Sequence, residues 1–338
     1  MAFSSNSVAA KARAIYGKQL TREDFTQLAS KETVADVCSY LKQTACYGKA
    51  LAAINPQTVH RGQLEALLRK SVFDTFETFH RFDFTESRFF FRFIAQRLEI
   101  DQILSAVQAV MSGSSDSYFA ELPMFLTKYS QADLPALGSA KSLPEIAELI
   151  SGTSYAKVLY KPLLTEKTDI NELERLLYTQ YYMDMLKSVE KELRGSERKE
   201  LKKAILRSID LENTVTVYRH CFFNSPEGVS KNLLPFRYRL RNDVIDRLAA
   251  EKDISKIAAE LNTIGYRTPM QPSESVEQLT EQISLDCMKK NLRLSRSAAV
   301  VYFSLSEMLG IELKNIKTVI EGIRYQLSGS DILNLLVL

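Results

Sequence analysis

Three short segments carry the same pair of polar residues at the same spacing: Glu99-Ile-Asp-Gln102-Ile103, Asp210-Leu-Glu-Asn213-Thr214 and Glu312-Leu-Lys-Asn315-Ile316. Each reads carboxylate, aliphatic, charged residue, carboxamide, β-branched residue. A carboxylate can act as a general acid or base, but that chemistry needs company, such as an activated nucleophile or a second carboxylate in a perturbing environment. The chain offers no Gly-x-Ser-x-Gly, no metal-spaced histidine pair and no Cys/His dyad. His60, His80 and His220, the last beside Cys221, lack metal-ligand spacing and read as structural. No two glycines form a GxG, and Gly17-Lys18 and Gly48-Lys49 lack the upstream glycine of a phosphate loop. No catalytic, cofactor or metal site is therefore expected. Residues three apart share one face of a helix. The repeated pair thus suits a structural clamp buried between helices, where each polar group needs a partner.

The elements that must position these pairs read as amphipathic helices. Ile170 to Leu193 places Leu173, Leu176, Leu177, Tyr181, Met185 and Leu186 near one face. Gly195-Ser196 breaks that helix, and Ser196 is expected to cap the next, which runs from about Glu197 towards Phe223 with Leu201, Ile205, Ile209 and Leu211 inward. Thr214-Val215-Thr216-Val217-Tyr218 alternates like a strand. A lone strand would leave its backbone groups unpaired, so it too is read as helix. Phe73, Phe76, Phe79, Phe82, Phe84, Phe89, Phe90, Phe91 and Phe93 crowd one stretch and are expected to form an aromatic core.

The pairs close three larger repeats. Thr33-Val-Ala-Asp36-Val37-Cys38-Ser-Tyr-Leu41 matches Ser142-Leu-Pro-Glu145-Ile146-Ala147-Glu-Leu-Ile150, 109 residues later, and Asp253-Ile-Ser-Lys256-Ile257-Ala258-Ala-Glu-Leu261, 111 residues after that. Each opens on a residue able to cap a helix. The same offsets align Leu28, Leu137 and Leu248, and before them Phe25, Leu134 and Ile245. Downstream they pair Tyr155 with Tyr266, where the first copy has Cys46 with Tyr47 adjacent. The chain is thus expected to be all-α, with helical units at 1–118, 119–230 and 231–338.

The order of these features resembles a family of rotary ATPase subunits, named C in the bacterial and archaeal V/A-type enzymes and d in the eukaryotic one. The likeness runs from Ala10-Lys-Ala-Arg13 and Leu20-Thr-Arg-Glu-Asp24-Phe25 through Tyr160-Lys161-Pro162-Leu163, Asp210 to Asn213 with Arg219, which is expected to join that clamp, and Leu234-Pro235. It ends on Tyr302-Phe303, Glu307, Glu312, Asn315 and Gly322. Gln102 stands where that family usually has Asn, Cys46 where it has Tyr, and the loop Glu227-Gly228-Val229 falls where its pattern is less fixed. The longer arm of Gln102 is expected to loosen the first clamp. The resemblance implies three similar units around a pseudo-threefold axis, in a cone or funnel. It also implies a non-catalytic central-stalk role: one copy per complex between membrane rotor ring and central shaft, peripheral to the cytoplasmic face, coupling torque to ion transport.

Composition is compatible with that. The 338 residues carry 44 Lys+Arg against 41 Asp+Glu, too balanced for a protein that binds nucleic acid by neutralising phosphate. The longest uncharged run, Gln102 to Ser115, falls short of the ~20 apolar residues of a membrane span. Four cysteines without a CxxC fit a reducing cytosol. Arg237, Arg239 and Arg241, and Lys289-Lys290 with Arg293 and Arg296, are basic clusters that could meet acidic partner loops. A helical scaffold that binds regulatory proteins is the competing reading. Repeats of ~20–45 residues would be expected of it, and these are far longer.

Overall fold

A computed structural model describes residues 2–82, 89–114, 118–119, 122–165, 168–223, 228–270 and 273–338. Phe84 and Glu227 fall outside them, as does the side chain of Phe82. Among the described residues the chain is helical, with no strand. No helix there is long and apolar enough to cross a membrane.

Local chemistry starts the short helices of each repeat. Thr33, Ser142 and Asp253 occupy N-cap positions, and their side chains accept from the backbone N–H of Asp36, Glu145 and Ser255. These bonds satisfy amides that a helix leaves unpaired at its start. Behind each cap the aligned aliphatics are buried: Val37 and Leu41, Ile146 and Ile150, Ile257 and Leu261. The long helices Phe90–Ser112, Ile170–Glu192, Gly195–Phe223, Val276–Leu294 and Ala298–Arg324 supply the surfaces they pack on. Thr214 to Tyr218 lies inside one of these. Burial of Thr214 and Val217 outweighs the weak helix preference of its β-branched residues, and Thr214 Oγ1 and Thr216 Oγ1 donate back to the carbonyls of Asp210 and Glu212, four residues earlier. Ser196 does not cap that helix. It lies within the first turn, which begins at Gly195, a residue at φ +60°.

The chain divides into two compact units, Met1–Ser87 with Arg194–Leu338, and Arg88–Leu193. In the first unit the closing helix of one repeat packs against the opening helices of another. Phe25, Leu28, Val37 and Leu41 share a core with Ile316, Val319 and Ile320. Val217 and Cys221 share another with Val244, Ile245, Leu248, Ile257 and Leu261. In the second unit Phe90–Ser112 packs on Ile170–Glu192 and on the helices Leu134–Ser139 and Leu143–Leu149. Most of the aromatic stretch is core: Phe73, Phe76 and Phe79 are buried in the first unit, and Phe90, Phe91 and Phe93 in the second. Phe76 and Phe79 both lie 5.3 Å from the ring of Tyr302. Phe93 meets Tyr181 edge-on at 5.9 Å.

Candidate functional site

The repeated carboxylates grip loops rather than neighbouring helices. Glu99 Oε1 accepts from Ser130 Oγ at 2.7 Å and from the N–H of Gln131 and Ala132 at 2.6 and 2.8 Å. Its Oε2 accepts from Tyr155 OH at 2.6 Å. Asp210 does the same to the loop Tyr238–Leu240: the three amides donate at 2.9, 2.6 and 3.2 Å. Tyr266 OH adds a fourth bond at 2.7 Å. In both cases the amides come from residues directly preceding a helix N-cap, Asp133 or Arg241. Four donors on one carboxylate use the whole acceptor capacity of the group.

Glu312 has the same architecture with fewer bonds. Leu20 N–H donates at 2.9 Å and Tyr47 OH at 2.7 Å. Leu20 again directly precedes an N-cap, Thr21. The two amides before it are taken elsewhere: helix Ala2–Tyr16 ends there, and Lys18 N–H and Gln19 N–H donate to the carbonyls of Ile15 and Tyr16. Glu312 is therefore buried without the amides that surround its counterparts. Burial, with a smaller contribution from the charge of Asp24, outweighs the two hydrogen bonds and pushes its carboxyl up to about 7. The three tyrosines are pushed above the ordinary phenol range, first by burial and then by the carboxylate each one faces.

The first-repeat tyrosine is thus Tyr47. Cys46, which the repeat offsets align with Tyr155 and Tyr266, is half-buried beside Thr44, its thiol pushed up to about 11 by burial. One extra residue between the cap Thr33 and the tyrosine accounts for the slip.

The carboxamides work separately from the carboxylates. Asn213 holds both backbone groups of Leu234, with Nδ2 donating to its carbonyl at 3.1 Å and Oδ1 accepting from its N–H at 2.8 Å. Asn315 treats Val337 identically, at 2.7 and 3.1 Å. Gln102 makes no such pair, and its buried Oε1 has no partner. The sequence explains why: Leu234 lies 21 residues beyond Asn213, and the position 21 beyond Gln102 is Pro123, which has no N–H to give. The next amide, that of Met124, is committed to the carbonyl of Leu122. Asn213→Leu is expected to cost about 1–3 kcal/mol by stranding the N–H and carbonyl of Leu234, and Gln102→Met to be neutral or stabilising. Urea unfolding of both variants checks the contrast.

A family model described as ATP synthase (C/AC39) subunit matches residues 8–335. The chain belongs to that family. Its relatives include the C subunit of the A-type ATP synthase of Desulfurococcus sp. (strain SY), 29% identical over 211 residues that cover 62% of this chain and 55% of the relative. The C subunit of Thermococcus kodakarensis is 28% identical with the same coverage. That of Pyrococcus abyssi is 25% identical over 325 residues, 92% of this chain and 85% of the relative. The chain thus spans about half the length of the first two relatives in these alignments.

Within this rotary ATPase family, two groups of residues singled out from sequence stand apart from the carboxylates. Arg219 does not join Asp210 and Asn213. It is exposed and pairs with Glu277 at 2.7 Å. The basic triplet is dispersed: Arg237 bonds the side chain of Asn242, and exposed Arg241 starts the helix Asn242–Ala249 without a side-chain cap. Arg239 turns inward, donating to the carbonyl of Ile264 at 2.8 Å.

Proposed function

We propose that this chain is the non-catalytic central-stalk component of a V/A-type rotary ATPase, linking the membrane rotor ring to the central shaft and carrying torque between them. Family membership supports the assignment to such a complex. The observation that carries the mechanical reading is the repeated carboxylate. Glu99 in the first repeat holds the second, Asp210 in the second holds the third, and Glu312 in the third holds the first. The order is cyclic, as three similar helical units about a pseudo-threefold axis in a funnel require. We infer the units to be 1–118, 119–230 and 231–338. Each carboxylate then acts as a structural clamp against shear between repeats; Asn213 adds to the second clamp through Leu234, whereas Asn315 holds Val337 within its own repeat and Gln102 adds no such pair. Close-packed helical cores with low compressibility suit a part that transmits force.

In this reading one copy sits at the cytoplasmic mouth of the ring, peripheral to the membrane, with ring and shaft subunits as partners. Purification of the complex from detergent-solubilised membranes through a tag on a catalytic subunit tests it. The chain is expected at one copy per complex, and its deletion is expected to separate ring from shaft. Recovery of the chain only in the soluble fraction would overturn the assignment.

A further inference from the structure

The Asp210 site does more than hold a loop, because the loop it holds carries an aromatic ring into a cluster of cations. Lys203 and Arg207 lie one turn apart on helix Gly195–Phe223. Lys203 Nζ is 5.9 Å from the centre of the Tyr238 ring and Arg207 Cζ 5.8 Å; Arg239 Cζ lies 5.3 Å from the same ring. Among the described residues no carboxylate pairs with Lys203 or Arg207, and Arg207 Nε is buried without a hydrogen-bond partner. Unpaired cations at close quarters repel one another, so they are unfavourable for the isolated subunit.

Arg239 is fixed in place. Its guanidinium bonds Ile264 and packs on Gly265, a residue at φ +84° where an added Cβ would collide with Nη1. Tyr238 registers the resulting potential: burial, the largest single influence, raises its phenol, but Lys203, Arg239 and Arg207 together outweigh it and bring the phenol below its ordinary value. Asp286 accepts from Gln282, and among the described residues it forms no ion pair with Lys203, Arg207 or Arg239.

We propose that Lys203, Arg207 and Arg239, set around exposed Tyr238, form a docking site for an extended acidic segment of a partner protein, a proposal that rests on the chain's place in a rotary complex. The arrangement favours several carboxylates over one phosphate. A phosphate cradle uses converging backbone amides, and the amides of Tyr238, Arg239 and Leu240 are already committed to Asp210. What remains are cations distributed around a ring, matched by acidic side chains spaced along a strand of partner chain.

A photo-crosslinking residue, p-benzoylphenylalanine, placed at Tyr238 of the full chain in cells that assemble the complex tests this. Irradiation and peptide mapping are expected to yield a crosslink to an Asp/Glu-rich segment of another subunit. Lys203→Glu with Arg207→Glu should lower its yield about tenfold or more without lowering the unfolding midpoint. Should that reversal disturb the fold, Lys203→Gln with Arg207→Gln is expected to give a smaller loss in the same direction. A crosslink to a neutral or basic segment, to phospholipid, or to nothing would overturn the proposal. Co-purification scored on the same unirradiated sample separates the two ideas. A chain outside the complex that still crosslinks to an acidic segment keeps the docking site and loses the stalk assignment. A chain inside the complex without that crosslink does the reverse.

Discussion

Asp210→Ala is expected to lower the unfolding free energy by more than about 3 kcal/mol, because each buried donor stranded without an acceptor costs about 1–3 kcal/mol. Asp210 is 0% exposed, and its removal strands three backbone amides and the hydroxyl of Tyr266 at once. The loop side of this site is only partly buried, so water can reach some of the stranded amides, which keeps the expected loss near the lower end of the sum. Asp210→Asn preserves the shape but turns an NH2 towards amides that need an acceptor, and should fall between the wild type and Ala. Urea unfolding gives the magnitude. Hydrogen exchange at Tyr238, Arg239 and Leu240 gives the cause: protected in the wild type and fast in the variant. An unchanged midpoint with fast-exchanging amides in both proteins would show that the carboxylate holds nothing.

Glu312 is expected to make stability fall as pH rises, the reverse of most buried, well-bonded carboxylates. Its carboxyl ionises at about 7 in the folded chain against an ordinary value of 4.5, so the folded state binds its proton more tightly than the unfolded state does. The contribution is fully present below about pH 4.5 and is lost as pH rises through 7. The groups that face Glu312 are Tyr47, Cys46 and Asp24, with the Leu20 amide, and no cation is among them. The stability difference between wild type and Glu312→Gln, which cannot ionise, should therefore shrink by about 3 kcal/mol from pH 4.5 to pH 8. Denaturant titrations of both proteins across that range measure it. A difference that stays flat, or grows with pH, would show that Glu312 is ionised as readily as an exposed carboxylate.

Much of this was legible in the sequence because it is local. Caps at Thr33, Ser142 and Asp253 need only a side chain and the next turn, and the helical periods around them are carried by burial of one face. The carboxylate–carboxamide repeat was visible as spacing. What each member holds was not, because the loop donors sit about 30 residues away and the tyrosines 56 for Glu99 and Asp210, and 292 separate Glu312 from Leu20. Two details were within reach of the sequence all the same. Pro123, 21 residues beyond Gln102, already excludes an amide partner there, and Tyr47 beside Cys46 already offers the missing hydroxyl. Arg219 misled because neighbours along a helix sequence need not share a face: it points to Glu277, whereas Asp210 and Asn213 point inward. The cationic cluster around Tyr238 joins residues from a helix and a loop more than 30 positions apart; the basic triplet Arg237, Arg239 and Arg241 marks the loop half, and nothing in the sequence brings Lys203 and Arg207 to it.

The proposed coupling of shaft to ring by this chain is tested most directly by ATP-driven ion uptake into membrane vesicles prepared with and without it, with ATP hydrolysis measured on the same vesicles. Vesicles lacking the chain are expected to hydrolyse ATP but move no ions, and adding back the wild-type protein is expected to restore uptake while Asp210→Ala restores it poorly. Ion uptake that persists at the wild-type ratio to hydrolysis in vesicles lacking the chain would contradict it.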